Sequence, residues 1–237
     1  NWFYGVLGFN ERRYAWMDEG LNTYAENRFM DDYLPDSASF VNSLPLAPFF
    51  NLIIDNFSRT NLNHVVLNTA HYHNMLQPSN LHSEDYNSML SYAASTYYKP
   101  GVGFNLLEQY VGREQFDKAM NRFYDEWKFR HPQPEDLQNS FEKSLNMGLG
   151  WLFQDYLASD KFPDYKLNDY QIEKTNNSYS TSLEIVNKGK TEQPLSISLY
   201  HDKSPLANKW LPPDSGTKKL TLETDVKPDE ARINPEM

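Results

Sequence analysis

Residues 1–27 read NWFYGVLGFNERRYAWMDEGLNTYAEN, and a helix begins inside them. Between 15 and 31, Met17, Leu21, Tyr24 and Arg28 recur at i, i+4, i+7 and i+11, which places them on one helical face. Glu19, Thr23 and Glu26 fall on nearly the opposite face, because seven residues make close to two full turns. Two carboxylates therefore project together from a helix whose other side is largely apolar. Taken alone, such a pair is an ordinary solvated acidic face. Gly20, directly after Glu19, permits another backbone to come close at that point.

Trp2, Phe3 and Gly5, followed by Asn10-Glu11-Arg12 and then Trp16-Met17-Asp18-Glu19-Gly20, resemble the M1 family of metallopeptidases, gluzincins of which many are aminopeptidases. In that family a helix bearing H-E-x-x-H supplies two zinc ligands and the catalytic base, and a Glu further on is the third ligand. The family's interval of eighteen residues between the second His and that Glu is filled by residues 1–18, which makes Glu19 the implied metal ligand. No H-E-x-x-H occurs in the 237 residues. The resemblance thus implies Zn2+ in a full-length protein, a site divided between this chain and preceding sequence, and no zinc or catalysis in this chain by itself. A first residue that is Asn rather than Met fits an upstream segment, and any signal peptide, having been removed.

A second block carries the same resemblance. Tyr97-Tyr98-Lys99-Pro100-Gly101, Leu106-Leu107-Glu108, Gly112 and Phe116, then His131-Pro132-Gln133-Pro134-Glu135-Asp136-Leu137, look like the segment that follows the zinc helices in bacterial members. The family's Tyr-x-Lys segment implies that Tyr97 donates to the oxyanion of the tetrahedral intermediate, with Tyr98 the registry alternative. Glu26 falls where relatives place a further acidic residue on the ligand helix, and a role in orienting a ligand or a cation is implied for it. Asp18 needs no more than a favourable position at a helix start. The resemblance covers residues 1 to about 160.

Periodicity supports a helical remainder. Val102, Leu106, Leu107, Tyr110 and Val111 form one stripe ended by Gly112, and Phe116, Ala119, Met120, Phe123 and Trp127 form the next. Pro132 and Pro134 break it before Leu137, Phe141 and Leu145, and a last segment holds Leu149, Leu152, Phe153, Tyr156 and Leu157. Residues 36–63 are Pro-punctuated and read as connecting structure. His71-Tyr72-His73 would put two imidazoles on one face of a strand, one way to build a metal site, although ordinary polar histidine is the better default.

After Pro163 the period changes to two. Tyr179, Thr181, Leu183 and Ile185 alternate, Asn187-Lys188-Gly189-Lys190 supplies turn chemistry, and Leu195, Ile197 and Leu199, then Leu220 and Leu222, alternate again. The expected architecture is multidomain α+β. A partial, mainly α-helical catalytic domain over 1–163 is followed by a small β-sandwich over 164–237, which resembles the immunoglobulin-like C-terminal part of family relatives.

Composition bounds the partners. A formal net charge of −10 opposes binding to a phosphate backbone, so nucleic acid is not expected. The absence of Cys excludes disulfides and thiolate metal sites, and no apolar run reaches the roughly 20 residues needed to span a bilayer. The 16 Tyr, 14 Phe and 5 Trp favour aromatic-rich packing and grooves. A peptide or protein substrate follows from the family resemblance, as does a periplasmic or cell-envelope location. The alternative is a non-catalytic peptide- or glycan-binding pseudo-peptidase that uses the aromatic surface without metal; a structural fragment organised around the β-sandwich is a third possibility.

Overall fold

The computed structural model describes residues 3, 5–33, 59–189, 191–214 and 216–234, and the chain divides into two compact units, Asn1–Asp160 and Lys161–Met237. Most of the Pro-punctuated stretch expected to be connecting structure lies outside the described residues.

The first unit is helical. Asn10 turns the chain into α1 (Glu11–Tyr33), its side-chain oxygen accepting from the Arg13 backbone N–H at 3.1 Å. Tyr14 has non-helical angles (φ −139°, ψ 56°), so the regular helix starts at Ala15. Its buried side includes Trp16, Met17, Leu21 and Tyr24. The chain before it is fixed at a distance in sequence: Gly8 N–H donates to the Arg130 carbonyl (2.9 Å) and Phe129 N–H to the Val6 carbonyl (2.8 Å). The two family-like blocks of the sequence thus meet in space.

α2 (Arg59–Tyr72) occupies the stretch in which a strand was considered. His71 lies in its last turn and His73 just beyond it, both exposed, so the two imidazoles do not share a strand face. Further on, α3 (Met89–Ala93), a π-helical segment Ala94–Tyr98 and α4 (Lys99–Val111) run as one rod, with right-handed helical angles at both junctions. Ser88 caps its start by accepting from the Ser91 N–H at 3.0 Å. The rod therefore begins well before Val102, where the apolar stripe became visible.

α5 (Arg113–Trp127) and α6 (Pro134–Leu145) follow, α6 opened by a capping box in which Gln133 N–H donates to Asp136 Oδ2 at 2.8 Å. The last helical segment, Trp151–Leu157, is π-helical. Aromatic rings fill the centre. Trp16 packs on Phe104 (6.3 Å between centroids) and Phe153 (6.2 Å), Phe104 on Phe141 (6.4 Å), Phe141 on Phe116 (5.5 Å) and Phe116 on Tyr24 (5.0 Å). Trp16 and Phe104 are stacked and the other pairs are tilted or edge-on, arrangements favoured by ring quadrupoles. The aromatic wealth of the sequence is spent here in a core.

The second unit holds two three-stranded antiparallel sheets, in the orders β1-β2-β5 and β4-β3-β6. The strands are β1 (Tyr165–Lys174), β2 (Tyr179–Asn187), β3 (Leu195–His201), β4 (Ser204–Leu211), β5 (Thr217–Thr224) and β6 (Glu230–Ile233). Leu183 and Ile185 from β2, Leu195, Ile197 and Leu199 from β3, and Leu220 and Leu222 from β5 form one apolar core shared by both sheets. The segment after β2 carries the chain from one sheet to the other. Lys188 and Gly189 both donate to the Asp164 carbonyl (2.6 and 3.1 Å), and a β-carbon at Gly189 would stand 2.5 Å from Phe162 O and Asp164 N. Glycine is needed there for close backbone approach.

Candidate active site

Glu19 and Tyr97, 78 positions apart in sequence, meet side chain to side chain. Burial first, then the interaction with the neighbouring Glu19 carboxylate and its charge, push the Tyr97 phenol well above its ordinary range. Tyr92 stands beside them with its ring edge-on to Tyr97 (6.1 Å, 69°), and it packs in turn edge-on to Tyr86 (5.4 Å, 83°). Burial first, then the Glu19 charge, also raises Tyr92. Tyr86 is anchored by donating to the carbonyls of Pro78 (3.1 Å) and Ser79 (3.0 Å). One carboxylate thus faces a short wall of phenols.

The meeting depends on how closely two helices approach. A β-carbon on Gly20 would lie 2.5 Å from Pro100 Cβ and 3.2 Å from the Thr96 carbonyl, and one on Gly101 would lie 3.0 Å from Thr23 Cγ2. α1 and the start of α4 therefore cross with a glycine on each helix, Gly20 against Pro100 and Gly101 against Thr23. The close approach expected at Gly20 is made to this helix. Pro100 has no N–H to give to the Thr96 carbonyl, and a regular α-helix would be disrupted at this point. The π-helical turn Ala94–Tyr98 lies immediately before it. Tyr97 thus sits in a π turn inside a long rod rather than at a helix start, and such turns are frequent at functional sites.

Lys99, two residues on, is fully buried. Its ammonium donates to the carbonyls of Ser159 and Gln77, the latter at 3.5 Å, and lies 5.5 Å over the Tyr156 ring. Burial pulls its pKa down to about 7 against the opposing pull of Asp160 and Asp155.

The other expected residues are placed differently. Tyr97 is the one of the two adjacent tyrosines whose phenol is raised by the Glu19 carboxylate. Glu26 is exposed, and the helical rise over seven residues sets it about 10 Å along α1 from Glu19. Asp18 is buried, not an exposed helix-start carboxylate; desolvation, with help from Glu19 and Glu11, raises it to about 6. Its oxygen accepts from Asn22 Nδ2 at 2.9 Å. Among the described residues no group of three or more His, Asp or Glu is gathered to hold a metal ion. Glu19 offers one carboxylate, which does not fit a zinc ion without ligands from elsewhere.

An ion network further along α1 was not foreseen. Arg28 makes a bidentate pair with Asp117 (2.5 and 2.8 Å) and also donates to the Tyr24 hydroxyl (3.0 Å), which itself donates to Glu108 Oε2 (2.6 Å). Arg113 pairs with Asp32 and lies 3.8 Å from Glu108. Of these, Tyr24, Arg28, Asp32, Glu108 and Arg113 border a cavity of about 370 Å³ between α1 and α4. The signal for it was Arg28, a cation on the helix face otherwise assigned to the core.

The peptidase family M1 domain model matches residues 1–156. The crystal structure of Legionella pneumophila aminopeptidase A in complex with aspartic acid resembles this chain with a TM-score of 0.55 at 17% identity, over 93% of this chain. The chain spans 23% of the length of that protein. No curated protein matches. With the family's domain matched from the opening stretch through the last helical segment, this chain belongs to peptidase family M1.

Proposed function

We propose that this chain is part of a zinc-dependent aminopeptidase, in which Glu19 is one of the metal's ligands and Tyr97 donates to the negative charge that develops on the scissile carbonyl oxygen. The observation that carries this is the Tyr97 phenol beside the Glu19 carboxylate, which together with burial raises it. A phenol held well above its ordinary range stays protonated near neutral pH and keeps its hydrogen for donation. A peptide would be bound with its carbonyl oxygen near that hydroxyl. Zinc, when bound in the complete domain, would supply the Lewis acid for attack by water.

Because one carboxylate does not make the site, the 237-residue chain is proposed to be inactive alone, the remaining ligands and the base coming from preceding sequence. Glu26, exposed and two turns from Glu19, is proposed to orient a neighbouring group. A periplasmic or cell-envelope location is part of the same proposal and rests on the resemblance to exported bacterial relatives; cell fractionation tests it. The two-sheet unit is proposed to be immunoglobulin-like on the same ground.

The deciding experiment measures zinc stoichiometry in the protein extended upstream by its natural sequence, beside a Glu19→Gln version purified identically. About one zinc per chain, strongly weakened by the substitution, is the expected result. No zinc in either folded protein would overturn the proposal and favour a non-catalytic peptide- or glycan-binding protein.

A further inference from the structure

The helix bearing Tyr97 is held on its other side by a single loop residue. Ser91, Ser95 and Lys99 are completely buried and recur every four positions along the rod. All three meet Gln77. Ser91 Oγ donates to Gln77 Oε1, Gln77 N–H donates to Ser95 Oγ at 3.1 Å, and Lys99 Nζ donates to the Gln77 carbonyl. Gln77 Oε1 also accepts from the Asn87 N–H (2.8 Å), and Ser79 N–H donates to the Leu157 carbonyl (2.8 Å). In a regular α-helix every fourth residue leads by about 40°, so a stripe with this spacing drifts around the axis. The π turn is wider, rotates less per residue, and brings Lys99 back into line with Ser91 and Ser95.

We propose that Lys99 is a positioning residue for Tyr97, joining the Gln77 loop to the Ser159 carbonyl and thereby fixing the rotation of this rod about its own axis. The inference rests on the reading of Tyr97 as the oxyanion donor. Tyr97 lies two residues from both Ser95 and Lys99, roughly half a turn around the helix, so the polar stripe faces the loop while Tyr97 faces Glu19. A rotation of about 10° would swing a hydroxyl some ~8 Å from the axis by more than about 1 Å, and a misplacement of that size costs on the order of 10²-fold in rate. An apolar side chain of the same length would fill the site without burying an ammonium, so packing alone does not call for lysine here. What lysine adds is two directed hydrogen bonds to two separate segments.

The test uses 3-fluorotyrosine in this chain, with the Tyr97 resonance assigned by its loss in Tyr97→Phe, together with peptidase kinetics of the upstream-extended protein. Lys99→Met is expected to shift or broaden the Tyr97 resonance while circular dichroism is preserved. In the extended protein kcat should fall by about 10- to 100-fold with KM within about threefold. Lys99→Gln, which keeps N–H donors, should recover part of both. An unmoved Tyr97 resonance in folded Lys99→Met, or a loss confined to KM, overturns the proposal. Should Lys99→Met fail to fold, Ser95→Ala opens the same clamp with a smaller change and must give the same pattern. If Tyr97→Phe leaves activity intact, the oxyanion reading fails, while the fluorine resonance still decides whether Lys99 positions the ring.

Discussion

Gly20 and Pro100 stand so close that a β-carbon on Gly20 would lie 2.5 Å from Pro100 Cβ. That contact sets the distance between the helix carrying Glu19 and the turn carrying Tyr97. Alanine has the better helix propensity by about 1 kcal/mol, but forcing a methyl against a proline ring costs about 1–3 kcal/mol. Gly20→Ala is therefore expected to be destabilising by up to about 2 kcal/mol in urea denaturation. Gly101→Ala makes its one tight contact with the Thr23 methyl at 3.0 Å and should be close to neutral. Equal effects at both positions would mean that the crossing is not held by the Gly20 contact.

The proposed donor role of Tyr97 predicts different effects of substitution at positions 97 and 98. In the upstream-extended protein, Tyr97→Phe removes the proposed oxyanion donor and should lower kcat by about 10²- to 10³-fold. Tyr98→Phe, which does not bond to Glu19, should stay within about threefold of the parent. Steady-state kinetics with an aminoacyl anilide would check both, and a larger loss at position 98 would move the donor role there.

How much was visible beforehand depended on whether the side chains involved were apolar or polar. Met17, Leu21 and Tyr24 announced the buried face of α1, and the alternation around Leu183, Leu199 and Leu220 announced three strands, because apolar burial leaves a period in the sequence. The start of the Met89–Val111 rod left none: its buried stripe is Ser91, Ser95 and Lys99, polar residues made burial-compatible by Gln77. Edge strands β1 and β4 were silent for a related reason, having no fully buried residue. Glu19 and Tyr97 were found through family resemblance, whereas their contact depends on a π turn and two glycines whose effect appears only when the helices cross.

The Tyr24 hydroxyl is central to the network beside the cavity, accepting from Arg28 and donating to Glu108 at 2.6 Å. Tyr24→Phe leaves the Glu108 side chain, only 14% exposed, without that donor. The expected cost is about 1–3 kcal/mol by chemical denaturation. Asp117 is 42% exposed, so water can replace part of what Asp117→Asn removes, and a loss below about 1 kcal/mol is expected. The opposite ranking would place the network's strength in the Arg28 pair instead of the phenol.

Lys99 also gives the helical unit a pH signature with a definite sign. Its pKa falls from 10.5 in the unfolded reference to about 7 in the fold, so between those values the unfolded chain binds more protons than the native one. Native stability contributed through this group therefore rises as pH increases from about 7 towards 10.5, and the burial penalty is greatest below about pH 7. The slope from one group cannot exceed about 1.4 kcal/mol per pH unit. Lys99→Met lacks the titration, and its stability relative to the parent should become steadily less favourable between about pH 7 and 9. Urea midpoints across that range, converted with measured m-values, would reveal it. A constant difference would mean that Lys99 keeps its charge in the native state, with its two carbonyl partners and the Tyr156 ring offsetting the loss of water.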